Sequence, residues 1–570
     1  MPSRFTSRFR IGAMLVAGVA TIAALVMMNL VVHTPVAAGP HPAPYCGAHP
    51  QFCTETADPW SYNGTYTGHD EPSLLYYSTV PGSGNSNVYQ LKLPSDPPTA
   101  PNDNGTGGTW SFQLHPAFWF GMIMCDDQSA PNPGATCLAD SDKNLHNSSN
   151  PQSSDYIGLT PGQGFMEMQF YPPGWGNVGT GVSCGPDNTQ WCAALNIDSF
   201  SSNSNTGIPN NSACLNAAGE EYVNYAIITK SGKSQGPADP LDQTLATFET
   251  SPDTLEMNSS DRLTVDMHDT AAGFQVVIHD LTTGETGSMT ASIENGFGHP
   301  LYQPESATCT DAAYAFHPMF STSTPNTRVY WAAHTYNVAF SDEIGHFEYC
   351  PSASVSSRGR CTTASVTDPS GVDSDDRGCA NLPLVNVPGQ PDFGGCLSTD
   401  NDFDGPEYQH NWAGSIANHD TDASLHATPI TFSSPLFTGP GESGLRNYSR
   451  VAFEADLPRI EGADSSPNNN CQRHVFNPAD PSPGAGCVNP PNGASFYPFY
   501  SAVNQNGTCV WQEGDANLAN VINNFGGSST AEFGELQLIL YPATGFTTTG
   551  RFNNFHRTLN NNPCPQPNGG

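Results

Sequence analysis

Basic residues are scarce in this sequence. Of its 570 residues, 18 are lysine or arginine and 53 are aspartate or glutamate, which gives a formal net charge of −35 at pH 7. Proteins that follow a nucleic-acid backbone need clustered Lys and Arg, and so do proteins that dock on anionic lipid. The composition therefore excludes a nucleic-acid partner. It also excludes a membrane partner, unless an N-terminal anchor is retained.

Long segments with the 3.6-residue period of a helix are also missing. Charged residues make up 12% of the chain, which holds 55 glycines and 50 prolines, a composition typical of short strands joined by turns. The aromatic content of 10% argues against disorder. We predict an all-β protein built as an antiparallel β-sandwich, with strands near residues 88–93, 110–125, 165–171, 222–229, 262–268, 274–280, 287–293, 335–340, 451–457, 509–512 and 535–541.

The N-terminus has the pattern of an export signal. Three arginines within the first ten residues precede an apolar run over residues 11–32, and small residues follow at 36–38. This pattern predicts a signal peptide cleaved near Ala38. The apolar run is also long enough to span a bilayer, so a retained membrane anchor is the alternative. Both readings place the rest of the chain outside the cytoplasm.

The cysteines agree with export. There are 16, all after the signal segment, and an even number in an exported chain predicts disulfides. No pair has the C-x-x-C spacing of a zinc or redox site. The short loops predict the pairs Cys125–Cys137, Cys184–Cys192 and Cys471–Cys487.

Changes in composition divide the chain into five parts. Residues 1–38 form the signal or anchor, and 39–108 are rich in Pro, Gly and Asn. The main β-sandwich is predicted over 109–350, followed by a Cys- and Asp-rich connector over 351–425 and a second β region over 426–570. That second region either forms a sandwich of its own or completes the sheets of the first. We expect a monomer.

One alternating strand, FMEMQFYP at 165–172, is the strongest candidate for a site. Successive side chains of a strand point to opposite faces, so Met166, Met168 and Phe170 share an apolar face that can be buried. The opposite face carries Glu167, Gln169 and Tyr171. A carboxyl, an amide and a phenol in a row predict the floor of a polar groove. Glu167 would be the catalytic acid or base and Gln169 its companion.

The strand predicted at 110–125 adds polar residues to the same groove. Gln113, His115 and Trp119 share its polar face, where Trp119 could stack on a sugar ring and Tyr171 would complete the binding surface. Hydrolysis of a glycosidic bond needs two carboxyls across one bond. The candidates for the second carboxyl include Glu348, in the sequence HFEY, and Glu535, which begins a second Glu-x-Gln sequence near the C-terminus like that at Glu167.

The sharpest metal pattern is DNDFDG at 400–405. Asp400, Asp402 and Asp404 alternate and a glycine follows, which is how a calcium loop directs hard oxygen ligands at one point. The bidentate Glu of an EF-hand is absent, because position 12 of the loop is Asn411. We therefore predict a structural calcium ion outside an EF-hand, with an Asp-capped turn as the alternative. No motif for an organic cofactor occurs.

Three stretches give the chain a resemblance to the glutamic peptidases (eqolisins) over about residues 117–317. FWFG at 118–121 resembles the early Trp-x-Gly strand of that family, and FMEMQFYP at 165–172 resembles its Tyr-Glu-Trp-Tyr-Pro strand. SDRLTV at 260–265, with LTTG at 281–284, resembles its Gly-Asp-x-Ile-x-Val strand and Leu-Thr-Thr-Gly turn. The resemblance implies a secreted sandwich of the concanavalin or jelly-roll type and, as one function, acid proteolysis.

The two catalytic residues of that family have no clear match. The stretch that would hold the catalytic Glu reads CTDAAYAFH at 309–317 and contains no Glu. Within residues 126–160 the glutamines are Gln128 and Gln152, and neither clearly matches the catalytic Gln. The same architecture hosts lectins and polysaccharide-cleaving enzymes, so the fold does not decide the function.

These observations lead to one functional hypothesis and two alternatives. The leading hypothesis is a secreted hydrolase that acts on an extracellular polymer through a carboxyl acid or base in a polar groove. A polysaccharide is the preferred substrate class. The first alternative is an acid peptidase of the glutamic type, for which the partner would be a protein chain. The second is a non-catalytic module that binds carbohydrate or mediates adhesion at the cell surface.

Overall fold

The structure is a computed structural model of the 570-residue chain. It describes residues 73–78, 80–99, 117–129, 137–141, 162–173, 189–200, 208–219, 221–321, 427–439, 444–456, 500–513, 551–559 and 561–567, together with residues 110, 111, 115, 134, 202–203, 339–343, 347–348, 394–395, 424, 472–473, 484–485 and 538–540. The predicted signal segment lies outside the described residues. Within them, no helix is both long and apolar enough to cross a membrane.

Strands dominate the described part of the chain. They are β1 (Ser73–Tyr77), β2 (Ser86–Lys92), β3 (Ala117–Cys125), β4 (Gln163–Tyr171), β5 (Cys192–Phe200), β6 (Ser202–Asn203), β7 (Ile208–Pro209), β8 (Glu221–Ile227), β9 (Arg262–Thr270), β10 (Gly273–Asp280), β11 (Thr286–Thr290), β12 (Gly298–Pro300), β13 (Asp311–Ala313), β14 (Ala339–Glu343), β15 (Phe347–Glu348), β16 (Gly394–Gly395), β17 (Thr431–Ser433), β18 (Leu436–Phe437), β19 (Arg446–Asn447), β20 (Arg450–Asp456), β21 (Gln472–Arg473), β22 (Gly484–Ala485), β23 (Tyr500–Gln505), β24 (Thr508–Glu513), β25 (Leu538–Leu540) and β26 (Arg551–Leu559).

The helices among these residues are short. They are α1 (Ser212–Ala218), α2 (Leu245–Phe248) and a 3-10 turn at Ile293–Asn295. The helix α1 begins at Asn211, whose side-chain oxygen accepts hydrogen bonds from the N–H groups of Ala213 (2.9 Å) and Cys214 (3.1 Å). This cap satisfies two of the backbone donors that every helix leaves unpaired at its start.

Two large antiparallel sheets organise the fold. The first has nine strands in the order β25-β26-β20-β1-β14-β3-β4-β5-β8. The second runs β11-β10-β9-β2-β17-β24-β23, with β18 and β19 attached at β2. Some adjacent strands of the second sheet are joined by tight turns, as between β23 and β24. There Asn506 and Gly507 have φ of 53° and 88°, the left-handed conformation that a two-residue hairpin loop requires.

A single hydrophobic core lies between the two sheets. The ring of Tyr89, from β2 in the second sheet, lies 3.9 Å from the ring of Phe120 on β3 in the first. Phe120 also meets Phe432 of β17 edge to face, at 5.8 Å. Met166 and Met168 of β4 are fully buried in the same cluster. The predicted all-β sandwich is therefore confirmed, and so is the prediction that the even-numbered residues of 165–171 face the core.

The strands of residues 426–570 complete the two sheets. β20 pairs with β1 in the first sheet and β17 pairs with β2 in the second, which is the second of the two arrangements left open by the sequence. β1 and β5 carry no strand prediction from the sequence. β1 reads SLLYY and is fully buried, so its pattern lacks the polar and apolar alternation of a half-exposed strand.

The described disulfides close one short loop and two long ones. Cys125 is bonded to Cys137, as the short loop predicts. Cys214 of α1 is bonded to Cys309 across 95 residues, and Cys509 of β24 to Cys564 across 55 residues. Cys192 is also in a disulfide. The predicted partner Cys184 and the pair Cys471–Cys487 lie outside the described residues, so these two pairings stay predictions.

Candidate functional site

The polar face of β4 is covered and does not form an open groove. Glu167, Gln169 and Tyr171 point away from the core, as the alternation predicts, but they are only 3%, 5% and 2% exposed. The prediction of an open polar groove is therefore wrong. Strand alternation decides which side chains share a face, whereas the elements that cover the face come from elsewhere in the chain. One such element is α2, whose Phe248 packs on Tyr225 of β8 with ring centroids 5.0 Å apart.

A directed series of hydrogen bonds ends at the Glu167 carboxyl. The Asn196 Nδ2 group donates to the Tyr171 hydroxyl oxygen at 3.2 Å. The Tyr171 hydroxyl donates to Gln169 Oε1, and Gln169 Nε2 donates to Glu167 Oε2. Since Tyr171 occupies the amide oxygen of Gln169, the amide N–H₂ is left for the carboxyl. The whole series presents donors to Glu167 and favours its ionised form.

A second carboxyl lies beside Glu167, on β5. Glu167 pairs with Asn196 across the strands, and Phe165 pairs with Asp198. Asp198 is therefore the diagonal neighbour of Glu167 on the same face of the sheet. It is 4% exposed, and its Oδ1 atom has no hydrogen-bond partner in the described part of the chain. We call Glu167 and Asp198 the carboxyl pair.

Burial raises the pKa of both members of the carboxyl pair. The pKa of Glu167 rises from 4.5 to about 8, because burial penalises the charged form more than the hydrogen bond from Gln169 favours it. The pKa of Asp198 also rises well above its usual value, first through burial and then through the charge of Glu167. At neutral pH Glu167 is therefore mostly protonated, and burial favours the protonated form of Asp198 as well.

Trp119 forms the wall of the site on the β3 side. It pairs with Gln169, while Gly121 pairs with Glu167. The indole ring lies over Gly121: a β-carbon at position 121 would come within 2.7 Å of the ring atom Cε3. Glycine at this position therefore leaves room for the ring next to the residue that pairs with Glu167. Trp119 is 1% exposed.

His115 lies inside the predicted strand but outside the observed one. β3 begins at Ala117, directly after Pro116, and proline has no N–H to donate to a strand ladder. His115 is fully buried, and its backbone N–H donates to the carbonyl of Ser111 at 2.7 Å. The prediction that His115 stands on the polar face of a strand with Trp119 is therefore wrong. Gln113 lies outside the described residues.

The other predicted residues are not part of this sheet or are not described. Glu348 lies in β15, which pairs with β16 in a separate two-stranded sheet. The structure therefore does not bring it into the sheet of Glu167. Outside the described residues lie the predicted carboxyl Glu535 and the predicted calcium ligands, Asp400, Asp402 and Asp404. Their roles stay predictions.

Sequence reasoning missed the residues that complete the site on β5. The stretch CAALNIDSF has Leu195 and Ile197 in the core and Asn196 and Asp198 on the opposite face. This is the same period of two that identifies β4, and it was the available signal. The pairing of β5 with β4 has no signal in the local pattern.

Two histidine and carboxylate clusters lie elsewhere in the described chain. Asp126, Asp127 and His299 form one, and Asp140, Asp269 and His317 form the other. In the first, His299 Nδ1 lies 2.8 Å from Asp126 Oδ1, and both side chains are buried. Burial opposes the charge on each, but the pair holds the pKa of His299 above its usual value and that of Asp126 below it. The spacing of these residues along the sequence does not predict either cluster.

Comparisons with known proteins find one weak structural similarity and no related sequence. No protein-family model matches the chain, and no curated protein matches it. Among solved structures it is similar to a Scytalido-glutamic peptidase crystallised with a peptide-based transition-state analogue, at 8% sequence identity and a TM-score of 0.22. The similarity covers 79% of this chain and 100% of that chain. At this TM-score the likeness establishes neither a shared fold nor a shared activity.

Proposed function

We propose that this protein is a hydrolase of an extracellular polymer, with a polysaccharide as its substrate and the carboxyl pair as its catalytic centre. The observation that carries the proposal is the carboxyl pair itself, two buried acids of raised pKa next to each other on one sheet face. Strongly perturbed carboxyls of this kind concentrate at catalytic sites. The export of the chain is supported by its disulfides, which persist in oxidising compartments.

The two carboxyls differ in a way that suits acid and base roles. Gln169 donates to Glu167 and stabilises it as a carboxylate, whereas Asp198 Oδ1 has no partner among the described groups. As the pH approaches the raised pKa of Glu167, Glu167 would therefore ionise first and act as the base, while Asp198 keeps its proton and acts as the acid. Glycoside hydrolysis needs one carboxyl in each of these states.

The reaction follows from these states. Asp198 gives its proton to the oxygen of the leaving sugar as the glycosidic bond breaks, and Glu167 takes a proton from the water whose oxygen attacks the anomeric carbon. Diagonal neighbours on antiparallel strands have Cβ atoms about 7 Å apart. From Cβ atoms at this spacing the two carboxyl groups can reach the separation of about 5 to 10 Å found in glycosidases. The indole of Trp119 beside Glu167 offers a surface on which a sugar ring can stack.

Catalysis on a polymer requires the covered face of the sheet to open. Glu167 is 3% exposed, so the chain that covers this face must move aside for a polymer to reach the carboxyl pair. A site of this kind exchanges water for substrate when it opens and excludes water when it closes.

A second candidate function rests on the contact between Gln169 and Glu167. A carboxyl hydrogen-bonded by an amide can activate a water molecule and stabilise the oxyanion that forms when that water attacks a peptide carbonyl. This chemistry would make the protein an acid peptidase.

Activity of matched carboxyl variants tests both functions. Reducing-end release is measured on a panel of polysaccharides, and cleavage of denatured protein is measured from pH 3 to pH 7, for the wild type, Glu167→Gln and Asp198→Asn. Loss of a general acid or base lowers kcat by about 10²- to 10⁴-fold. The control is Glu285→Gln, whose carboxylate is exposed and pairs with Lys230 at 2.8 Å on the surface. It should keep full activity.

The outcomes separate the candidates. Sugar release that falls in both variants supports the polysaccharide hydrolase. Cleavage of protein alone, lost in Glu167→Gln, supports the peptidase. Full activity of Glu167→Gln on every polymer removes the carboxyl pair from catalysis. Binding of a polysaccharide without turnover by the wild type would instead indicate a carbohydrate-binding or adhesion module.

A further inference from the structure

Three buried polar side chains beside Glu167 have hydrogen-bonding atoms without a partner among the described residues. They are Gln163, Asn196 and Asp198, which are 0%, 2% and 4% exposed. The unpaired atoms are both amide atoms of Gln163, Oδ1 of Asn196 and Oδ1 of Asp198, counted over the described chain. A buried polar atom left unpaired destabilises the fold, so three such residues in one place call for an explanation.

Strand register puts the three residues next to Glu167. Gln163, Phe165 and Glu167 are alternate residues of β4 and share its outer face. Asp198 pairs with Phe165, so it is diagonal to both Gln163 and Glu167, and Asn196 pairs with Glu167 directly. From Gln163 to Glu167 the face extends about 13 Å along the strand, at about 3.3 Å per residue. The unpaired atoms thus belong to one continuous strip of sheet.

The unpaired atoms are mostly acceptors. Asn196 uses its Nδ2 to donate to Tyr171, which leaves its oxygen as an acceptor. Asp198 contributes an oxygen, and Gln163 contributes one oxygen and one N–H₂ group. The strip therefore presents three acceptors and one donor group, and its ligand must supply several O–H or N–H groups close together.

A neutral sugar chain has this chemistry. Each ring carries several hydroxyls, and each hydroxyl can donate to an acceptor or accept from a donor. A peptide backbone offers one N–H donor and one C=O acceptor for each residue. Because the strip has three acceptors and one donor group, this equal ratio leaves some acceptors of the strip unpaired. An acidic sugar would bring a carboxylate beside Glu167 in its ionised, base form and into a protein of net charge −35, where like charges repel.

We propose that the strip formed by Gln163, Asn196 and Asp198 binds a neutral, hydroxyl-rich glycan and presents it to the carboxyl pair. This inference rests on the proposed function, because it names the substrate class of the same site. Gln163 and Asn196 are binding residues, and Asp198 both binds and donates the proton.

Calorimetric titration of the Glu167→Gln variant tests the inference without turnover. The probes are neutral hexasaccharides of β-linked glucose, mannose and xylose, a hexamer of galacturonic acid and an uncharged hexapeptide. At least one neutral hexasaccharide should bind, and the galacturonate hexamer and the hexapeptide should bind at least tenfold more weakly. Preferential binding of either of these two, or binding of no neutral probe, overturns the inference.

Gln163→Met in the same background tests the strip itself. Methionine has a similar length but neither amide atom, so affinity for the neutral hexasaccharide should fall by about tenfold or more. The fold should tolerate the change, because it removes two buried atoms that have no partner in the described chain. The melting temperature should therefore stay equal or rise, which checks folding independently of binding. The matched control is Gln275→Met on β10, where Gln275 Nε2 donates to Thr290 at 2.9 Å. It should leave the affinity unchanged.

The failure of this inference can be distinguished from the failure of the proposed function. If Glu167→Gln abolishes hydrolysis but binds only the peptide or the galacturonate, the carboxyl pair is catalytic and the neutral glycan is wrong. If Glu167→Gln keeps full hydrolytic activity, the proposed function fails, whatever the probes show. Equal affinities of Glu167→Gln with and without Gln163→Met would remove Gln163 from the binding strip.

Discussion

Glu167 should make the stability of the protein fall as the pH rises through the neutral range. Its pKa is about 8 in the folded chain, against 4.5 for the unperturbed group. Because the folded pKa is raised, this group contributes its full stability below about pH 4.5, and the contribution is lost as the pH rises through about 8. The Glu167→Gln variant has nothing to ionise, so it lacks this loss.

The size of the effect follows from the two pKa values. A difference of 8 − 4.5 = 3.5 pKa units, at about 1.4 kcal/mol for each unit, gives about 5 kcal/mol when the group is fully ionised. At pH 8 the group is half ionised in the folded state, and the loss is about 4 kcal/mol. A loss of this size is a large part of the total stability of an ordinary domain, which is about 5–15 kcal/mol.

Denaturant unfolding at pH 4, 6 and 8 measures this effect. The free energy of unfolding should be similar for the wild type and Glu167→Gln at pH 4, since the neutral acid and the amide can both accept the hydrogen bond from Gln169. At pH 8 the variant should be more stable by several kcal/mol. The control Glu285→Gln removes an exposed carboxylate and should follow the wild type at every pH. Parallel curves for the wild type and Glu167→Gln from pH 4 to pH 8 would refute the buried, protonated state of Glu167.

Two further predictions concern the surroundings of the site. Gly121→Ala places a methyl group against the indole of Trp119. The overlap should lower the unfolding free energy by about 1–3 kcal/mol and lower activity. The control Gly284→Ala, in an exposed turn where φ is 82°, should strain the backbone but leave activity unchanged. Asp126→Asn breaks the buried pair with His299 and should cost about 3–5 kcal/mol near pH 5. The pKa of His299 is raised from 6.5 and that of Asp126 is lowered from 3.8. The pair therefore stabilises the folded state fully at pH values between 3.8 and 6.5. This stabilisation decreases at higher pH as His299 loses its proton and at lower pH as Asp126 gains one. The variant should show neither decrease. A variant as stable as the wild type at pH 5 would contradict this role for the pair.

The sequence predicts the part of the fold that depends on local pattern. In β4 a methionine or phenylalanine alternates with a polar side chain, and this period identifies both the strand and its buried face. β9 and β10 are recognised in the same way. The position of β1 between β14 and β20 could not be predicted, because it depends on pairing between residues far apart in the sequence.

The candidate site also divides into residues that the local pattern predicts and residues that depend on long-range strand pairing. Glu167, Gln169, Tyr171 and Trp119 are found from alternation alone, because they lie on strands with a clear apolar face. Asp198 is 31 residues from Glu167 and becomes its neighbour only through the register of β5 on β4. Strand alternation also could not predict the burial of Glu167, because that burial depends on segments from elsewhere in the sequence that cover the outer face of the sheet.

The most direct test of the account is the initial rate of sugar release by the wild type and by Glu167→Gln on the neutral polysaccharide that the wild type cleaves fastest. Both are assayed at equal concentration and at a pH where circular dichroism shows each to be folded. The account predicts that kcat falls by about 10²-fold or more in the variant, while its affinity for the matching hexasaccharide is retained. Equal rates for the two proteins would contradict a catalytic role for the carboxyl pair.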